Sequence, residues 1–567
     1  MRSKPAVQPP GAIAREQPKP ASTSADDGAV PPASETGGDE TPPESMPPER
    51  PAPGSAATEI ELKLLVDPED LAAFEAAPVI VENTRGRGVR RRLRAVYFDT
   101  PNRDLRRAGM ALRVRQTGSR FVQTVKSARG DDPLRRGEWE AELPGEAPDL
   151  ALALPLLPPK LRARLGAVPP APVFRTDIRR LTRQVTLPAG RIEVAFDVGR
   201  LLAGDASVAV SEIELELKSG SAEAIFELGL RLLEHGAARP SVRSKSDRGF
   251  DLADDLPPAA PKPRRPDVPE NASLDEAFLV ISRSVLGHLL EALPAAGDGR
   301  GGEGVHQTRV ALRRLRALLG LMRAATDAPA TAAFRDDAGR IAGALGGARD
   351  TDVFITETLA TVEAALPGLD GFDRLRRIAE ARRTEHYAEA RRMLGDQRTS
   401  RFLLELGAWI EQRGWRSSTG TDGLAALAAP ASAFAAQSLA ALHAKVLKRG
   451  KHFKDMAPEA RHRLRIAVKK LRYASDFLAP MLGDARALRR YLAALAALQS
   501  RLGRYNDMAT TARIVAELGA EPAAPSEAAG AVVGWQAHGL AAAEPQLRDA
   551  WDRFRRVRPP WDRPAPR

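Results

Sequence analysis

The chain of 567 residues contains no cysteine. That excludes a disulfide framework, a thiolate metal site and a cysteine nucleophile. Aromatic residues make up only 5% of it, and they form no basic–aromatic stretch of the kind that stacks nucleic-acid bases. Negative charge is in the minority: 85 Lys and Arg against 73 Asp and Glu leave a formal net charge of +12, so acidic partners are expected. The N-terminus has no hydrophobic run after its first basic residues, and no secretory signal is expected. The longest uncharged stretch, Gly423 to His443, is Ala-rich and is broken by Pro430. It reads as a close-packed bundle helix, not a membrane span, and the expected setting is the cytoplasm. Residues 1–57 are crowded with Pro, Ser, Gly and Glu and have few large apolar residues. Such a tail cannot offset its ordering entropy and is expected to be disordered.

Two distant segments carry the same alternation, Glu59-Ile60-Glu61-Leu62-Lys63-Leu64 and Glu212-Ile213-Glu214-Leu215-Glu216-Leu217-Lys218. Charge then aliphatic is the period-2 pattern of a β-strand, so Glu59, Glu61 and Lys63 share one face, as do Glu212, Glu214 and Glu216. A solvated strand face accounts for one such segment. Two in one chain, with many cations between them, favour carboxylate rows that hold a hard divalent cation such as Mg²⁺ through oxygen ligands. Further alternating runs lie at Ala111–Arg115, Phe121–Lys126, Glu138–Glu142 (preceded by Arg136), Thr182–Thr186 and Arg191–Asp197. Turn signals at Gly118, Gly130 to Pro133 and Pro188 to Gly190 separate them, as in an antiparallel meander. Roughly eight short strands, each with charges on one face, predict a closed barrel with a polar interior. Carboxylates for metal beside a ring of Arg and Lys suit a polyanion bound through Mg²⁺.

The segment Glu59 to Leu64 resembles the ExExK signature of the CYTH superfamily, the triphosphate tunnel metalloenzymes. Val96 to Pro101, Leu112 to Arg115, Val125-Lys126, Arg136 to Glu140, Glu193 to Gly199, Ser211 to Glu216 and Ser244 to Gly249 resemble it too, in family order. The resemblance implies a barrel over residues 58–254 that processes a triphosphate with Mg²⁺ or Mn²⁺. It implies Glu59, Glu61, Glu214 and Glu216 as metal carboxylates, with Glu212 in support. It implies Lys63, Arg113, Arg115, Lys126, Arg136, Arg180 and Lys245 as triphosphate-binding cations, of which Lys63, Arg113, Arg115 and Lys126 are the catalytic set.

Residues 255–271 are Pro-rich with Lys262, Arg264 and Arg265 and read as an extended linker. The barrel is therefore expected to fold alone. Beyond the linker the pattern is helical. At about 100° per residue, His306, Arg309, Arg313 and Arg316 fall within an arc of about 80°. The same pattern returns 156 residues later as His462, Arg465, Lys469 and Arg472. Leu345-Gly346 with Asp350, and Leu502-Gly503 with Asp507, follow each copy, so a duplicated helical bundle is expected. The cations Lys445, Lys448, Arg449, Lys451 and Lys454, around His443 and His452, are expected to join its basic groove. Asp350, Asp352 and Asp507 are expected to orient Arg residues or cap helices.

The paired helices resemble the CHAD domain, the conserved-histidine α-helical domain, over residues 272–556. This implies inorganic polyphosphate bound in a basic groove by His306, Arg309, Arg313, Arg316, His462, Arg465, Lys469 and Arg472. A basic Pro-rich tail, residues 557–567, closes the chain. The order CYTH then CHAD resembles the fused inorganic triphosphatases of bacteria. The whole is thus an α+β multidomain chain: an antiparallel β-barrel tunnel, then an all-α duplicated bundle. Its expected function is metal-dependent hydrolysis of inorganic triphosphate with polyphosphate binding, in the cytoplasm and in association with polyphosphate granules. The alternatives are a non-catalytic polyphosphate-binding protein, or a triphosphatase acting on thiamine triphosphate or a nucleotide. Neither nucleic acid nor membrane is an expected partner.

Overall fold

The computed structural model describes residues 57–127, 130, 132–326, 328–483, 485–519 and 526–562. Nearly all of the expected N-terminal tail, together with Arg563 and Arg567, lies outside them, as does the side chain of Asp507. Nine strands form one antiparallel sheet: β1 (Ala57–Val66), β2 (Val89–Asp99), β3 (Ala111–Thr117), β4 (Arg120–Lys126), β5 (Arg135–Leu143), β6 (Ala171–Leu187), β7 (Gly190–Ala203), β8 (Ala206–Gly220) and β9 (Ala238–Ser241). Their order is β5-β4-β3-β2-β6-β7-β8-β1-β9, and β5 also pairs with β1. That extra pairing closes the first eight strands into a barrel, with β9 added on β1. Two-residue turns at Gly118-Ser119 and Gly204-Asp205 join β3 to β4 and β7 to β8. Gly118 and Gly204 have φ of 61° and 54°, the left-handed conformation that such tight hairpins need.

The register decides what faces inward. Lys63 lies opposite Glu214 and Glu61 opposite Glu216, while Glu193, Ala195 and Asp197 lie opposite Glu216, Glu214 and Glu212. Arg180 is opposite Asp197, Arg113 opposite Thr124, and Thr124 and Lys126 opposite Glu140 and Glu138. Because side chains alternate along each strand, these residues form one continuous polar inner wall. The opposite parity, Leu62, Leu64, Ile192, Val194, Phe196, Ile213 and Leu215, is buried outside the barrel. It packs against helix α1 (Glu223–Leu232), whose Ile225, Phe226, Leu228 and Leu232 are also buried.

One end of the barrel is filled by helix α2 (Lys245–Ala253). Its Phe250 meets Phe174 edge-on at 5.2 Å, and Phe174 stacks on Tyr97 at 4.4 Å. Both partners carry the inward parity. A side chain at Gly249 would place its Cβ 2.0 Å from the Phe174 ring, so only glycine lets the helix approach this closely.

The helical half begins with α3 (Leu274–Asp298) and α4 (Gly302–Thr326), which carries the first basic motif. It continues through α5 (Gln397–Glu411) to α6 (Pro458–Leu478), which carries the second. Helix α3 is, among the described residues, the one long and apolar enough to cross a membrane, and 67% of its apolar window is buried inside the fold. The single helix expected over Gly423 to His443 is two, Thr421–Ala428 and Ala431–Arg449. Pro430 between them has no N–H to continue the first.

The expectation of an independent barrel meets a shared core. Leu404 and Leu406 of α5 belong to the same apolar cluster as Phe226 and Leu215. A Cβ added at Gly407 would lie 2.1 Å from the Phe226 ring, and one at Gly229 would lie 3.3 Å from Leu404. Arg283 of α3 donates to Glu411 at 2.8 Å and lies 3.6 Å from Asp132 in the β4–β5 connection. The linker has no regular structure, but it is strapped down. His288 bonds the Pro261 carbonyl at 3.1 Å, Arg264 donates to the Gly130 carbonyl at 2.8 Å, and Arg314 donates to the Arg264 carbonyl at 3.3 Å.

Candidate active site in the barrel tunnel

The alternation of β1 and β8 brings the expected residues together. Lys63 contacts Glu61 and lies 3.1 Å from Glu214. Lys126 lies 2.7 Å from Glu59 and 3.3 Å from Glu138. Arg113 lies 3.4 Å from Glu138, and Arg115 is 3.2 Å from Glu140. Arg180 grips Asp197 with two bonds of 2.7 and 2.6 Å and also contacts Glu214. Lys245, at the first turn of α2, is 2.5 Å from Asp197 and 2.9 Å from Glu214 and also contacts Glu212. Glu216 is paired with Lys218 at 2.5 Å. Of the expected tunnel cations, Arg136 is placed differently. Its guanidinium donates to the carbonyls of Ser127 (2.5 Å) and Gly109 (3.1 Å), which ties the rim together.

Two residues of the wall escaped the sequence reading. Asp197 lies on the inward face of β7, midway along the strand, and is fully buried, and Arg248 contacts Glu212 from one helical turn beyond Lys245. The parity of Glu193 on β7 would have placed Asp197 inward, and the segment Ser244 to Gly249 contained Arg248.

Burial opposes the charge of Lys63, yet Glu214, Glu61 and Glu212 together hold its pKa above the usual lysine value. The same contest raises Lys245, where Asp197, Glu212 and Glu214 outweigh burial. Burial pushes Glu214 up, but Lys245, Lys63 and Arg180 overcome it and hold the carboxylate well below its ordinary range. Glu216 goes the other way: burial raises it, and Glu59 and Glu193 add to the effect against Lys218. Arg115 is lowered, first by Arg113, then by burial, with Arg180 adding to it. Three guanidinium groups that repel one another in a tunnel make a seat for an anion.

The carboxylate rows of β1 and β8 offer oxygen donors of the kind a hard divalent cation takes. Asp197, Glu212 and Glu214 each bring a carboxylate oxygen within 4.8 Å of the others. Glu61, Glu216 and Glu193 are cross-strand neighbours of like charge, an arrangement that costs stability until a cation neutralises it.

In the helical half the repeated residues meet. Arg313 donates to the hydroxyl of Tyr473 on α6 at 3.0 Å. Arg309 donates to the Ala342 carbonyl, Arg472 pairs with Asp476 at 3.2 Å, and Arg316 and His462 are exposed. Arg465 and Lys469 are half-buried on the same helix. His306 is lowered, first by burial, then by Arg349, Arg313 and Arg309. Lys470 is also lowered, by burial and then by Lys445, Arg335, Arg449 and Arg316, so Arg335 and Lys470 extend the basic surface beyond the repeat. His443 does not belong to it. It is buried, bonds the Tyr491 hydroxyl at 2.9 Å and packs beside Phe554 and Trp561. Asp352 holds Arg383 and the Tyr387 hydroxyl, both at 2.7 Å, and Asp350 pairs with Arg513 at 3.1 Å.

Residues 57–250 match the CYTH domain family, and residues 281–516 match the CHAD domain family. The chain is 32% identical over 198 residues to an inorganic triphosphatase of Haemophilus influenzae, a match of 34% of this chain and 54% of that protein. It thus spans about half the length of that curated relative. An uncharacterized protein of Mycobacterium tuberculosis is 28% identical over 468 residues, 76% of this chain and 84% of its own length. Among solved structures, the CHAD domain from the plant Ricinus communis is 30% identical and covers 53% of this chain and 98% of that one, with a TM-score of 0.46. The eight-stranded tunnel with its ExExK strand, followed by the duplicated basic helices, makes this chain a CYTH domain joined to a CHAD domain.

Proposed function

We propose that the barrel hydrolyses inorganic triphosphate to diphosphate and phosphate with Mg²⁺ or Mn²⁺, and that the helical half binds inorganic polyphosphate. The observation that carries the first reading is the inner wall itself. Lys63, Arg113, Arg115, Lys126, Arg180 and Lys245 converge on one tunnel and alternate with carboxylates. Linear triphosphate is a chain of oxyanions that such a wall holds along its length. Glu59, Glu61, Glu214 and Glu216 are the residues that would hold the cation. A divalent ion bound there supplies charge neutralisation at the phosphate oxygens. The cations position the substrate and stabilise charge as the phosphorus–oxygen bond breaks, so the chemistry is mainly electrostatic. Water adds its oxygen to phosphorus, and the leaving diphosphate carries away the bond electrons. The likeness to a protein named inorganic triphosphatase supports this substrate class.

Polyphosphate binding is supported by Arg309, Arg313, Arg316, Arg465, Lys469 and Arg472 lying on two helices joined by the Arg313–Tyr473 bond. The deciding experiment is phosphate release from triphosphate, ATP, thiamine triphosphate and long polyphosphate, with and without Mg²⁺. Triphosphate is expected to be cleaved fastest, and only with metal. Faster cleavage of thiamine triphosphate or ATP moves the substrate assignment. No cleavage of any member leaves a binding protein.

A further inference from the structure

The tightest carboxylate group in the tunnel, Asp197, Glu212 and Glu214, satisfies the distances of a metal site. Its chemistry points elsewhere. Asp197 and Glu212 are both fully buried, whereas Mg²⁺ gives up its waters reluctantly and usually keeps several. Both oxygens of each are already taken. Asp197 Oδ1 accepts from Arg180 Nε at 2.7 Å, and Oδ2 accepts from Arg180 Nη2 at 2.6 Å and Lys245 Nζ at 2.5 Å. Glu212 gives one oxygen to Lys245 and the other to Arg248. An entering cation would have to displace buried ammonium and guanidinium groups and leave them uncompensated.

We propose that Asp197, Glu212 and Arg248 form a positioning frame that fixes Lys245 and Arg180 for phosphate and holds no metal, leaving the cation to Glu59, Glu61 and Glu216, with Glu214, which Lys63, Lys245 and Arg180 already contact, shared between the frame and the cation. This rests on the triphosphatase reading above. The donor count of Lys245 shows how the frame works. An ammonium has three N–H bonds, and here they go to Asp197, Glu212 and Glu214. Asp197 and Glu212 anchor two. The third, on Glu214, whose side chain keeps 14% of its surface exposed, is the one a phosphate oxygen would take over. Arg180 is anchored the same way, through its bidentate grip on Asp197.

The frame also registers the plug helix. Arg248 and Lys245 seat the first turn of α2 on Glu212, while Phe250 wedges its far end against Phe174. Ser244 and Asp247 close a capping box at its start. The position of Lys245 is therefore fixed from both sides. The other carboxylates differ: the side chains of Glu59, Glu61 and Glu216 keep 12%, 19% and 27% of their surface exposed, room for a hydrated ion.

The test uses the full chain and Mn²⁺ as the probe, with binding read by electron paramagnetic resonance or calorimetry without substrate. Glu216→Gln is expected to lose at least about tenfold in Mn²⁺ affinity, the size of effect typical at metal sites. Asp197→Asn and Glu212→Gln are expected to leave Mn²⁺ affinity unchanged while raising the KM for triphosphate about tenfold, more than they lower kcat. If either weakens Mn²⁺ as much as Glu216→Gln does, or leaves KM unchanged, the frame is overturned. Thermal unfolding checks each fold. Should Asp197→Asn not fold, Arg248→Gln decides, because it removes only the outer contact: a raised KM at unchanged Mn²⁺ affinity supports the frame, and any other result sinks it. A native chain that leaves triphosphate intact ends the hydrolase reading, and the Mn²⁺ titrations still decide where metal binds.

Discussion

Arg313 of α4 donates from Nε to the hydroxyl of Tyr473 on α6, 3.0 Å away. The two copies of the basic motif are therefore packed side by side. Arg313 belongs to the first repeat, and Tyr473 follows Arg472, the last cation of the second. A phosphate chain lying on this pair meets cations from both copies at once, which a single basic helix could not offer.

Substituting Glu61→Gln or Glu214→Gln is expected to lower metal-dependent triphosphate hydrolysis by about 10²–10³, the usual loss when one preorganised electrostatic contact is removed. Glu61 lies beside Lys63, and Glu214 is held far below its ordinary pKa range, against burial, by Lys245, Lys63 and Arg180. Each substitution keeps shape and removes charge. Near-normal turnover in both proteins would remove these carboxylates from the site.

The shared core makes a second expectation. Phe226 is buried between the barrel and α5, so Phe226→Ala should destabilise the protein by about 3–5 kcal/mol in urea unfolding. Residues 57–255 alone would expose that surface, and they are expected to aggregate or to unfold at lower denaturant than the full chain. A monomeric fragment of undiminished stability would show that the two halves share a core without needing it.

The barrel was legible because its signal is local. Charge–aliphatic alternation in Glu59 to Leu64 and Glu212 to Lys218 fixes which residues face inward, and cross-strand register then gathers them. The basic repeat was legible for a similar reason, since 100° spacing places His306, Arg309, Arg313 and Arg316 on one arc. What the sequence hid is tertiary. Nothing in Asn271 to Glu291 announces that Arg283 reaches Asp132, nor does Gly407 reveal Phe226 against it. Arg136 shared its strand face with Glu138 and Glu140, but carbonyl acceptors at the barrel rim captured its guanidinium. His443 sits among lysines in sequence, and the helix turns it toward Tyr491 in the core. The linker composition points to a segment without helix or strand, but composition carries no information on what such a segment lies against.

That linker supplies a pH-dependent expectation. His288 is 4% exposed and bonds the Pro261 carbonyl. Burial, then the neighbouring Arg314, pushes its pKa down to about 4. In the unfolded chain an ordinary histidine takes its proton near pH 6.5. Between these values the unfolded state binds more protons than the folded one, so stability falls as pH drops from about 6.5 toward 4, by up to about 3 kcal/mol. Denaturant unfolding across this range should show the slope, and His288→Gln should flatten it. An unchanged slope in that variant would place the titration elsewhere.

Binding of long-chain polyphosphate to the full chain should weaken steeply with added salt, because each neutralised phosphate releases counterions. Charge reversal of Arg309, Arg313, Lys469 and Arg472 together should abolish it, since these cations lie on two helices in direct contact. Reversal of Arg563 and Arg567 in the C-terminal tail should leave it intact. The sign of the pH effect follows from His306, whose pKa is lowered by burial and by Arg349, Arg313 and Arg309. A bound polyanion offsets those cations and favours the protonated ring. Binding therefore takes up a proton and strengthens as pH falls through the histidine range. Titrations at several salt concentrations and pH values, beside an RNA of equal charge, measure all three effects. Persisting affinity in the four-residue reversal would move the polyphosphate site off these helices, and equal affinity for RNA would make the surface a general polyanion binder.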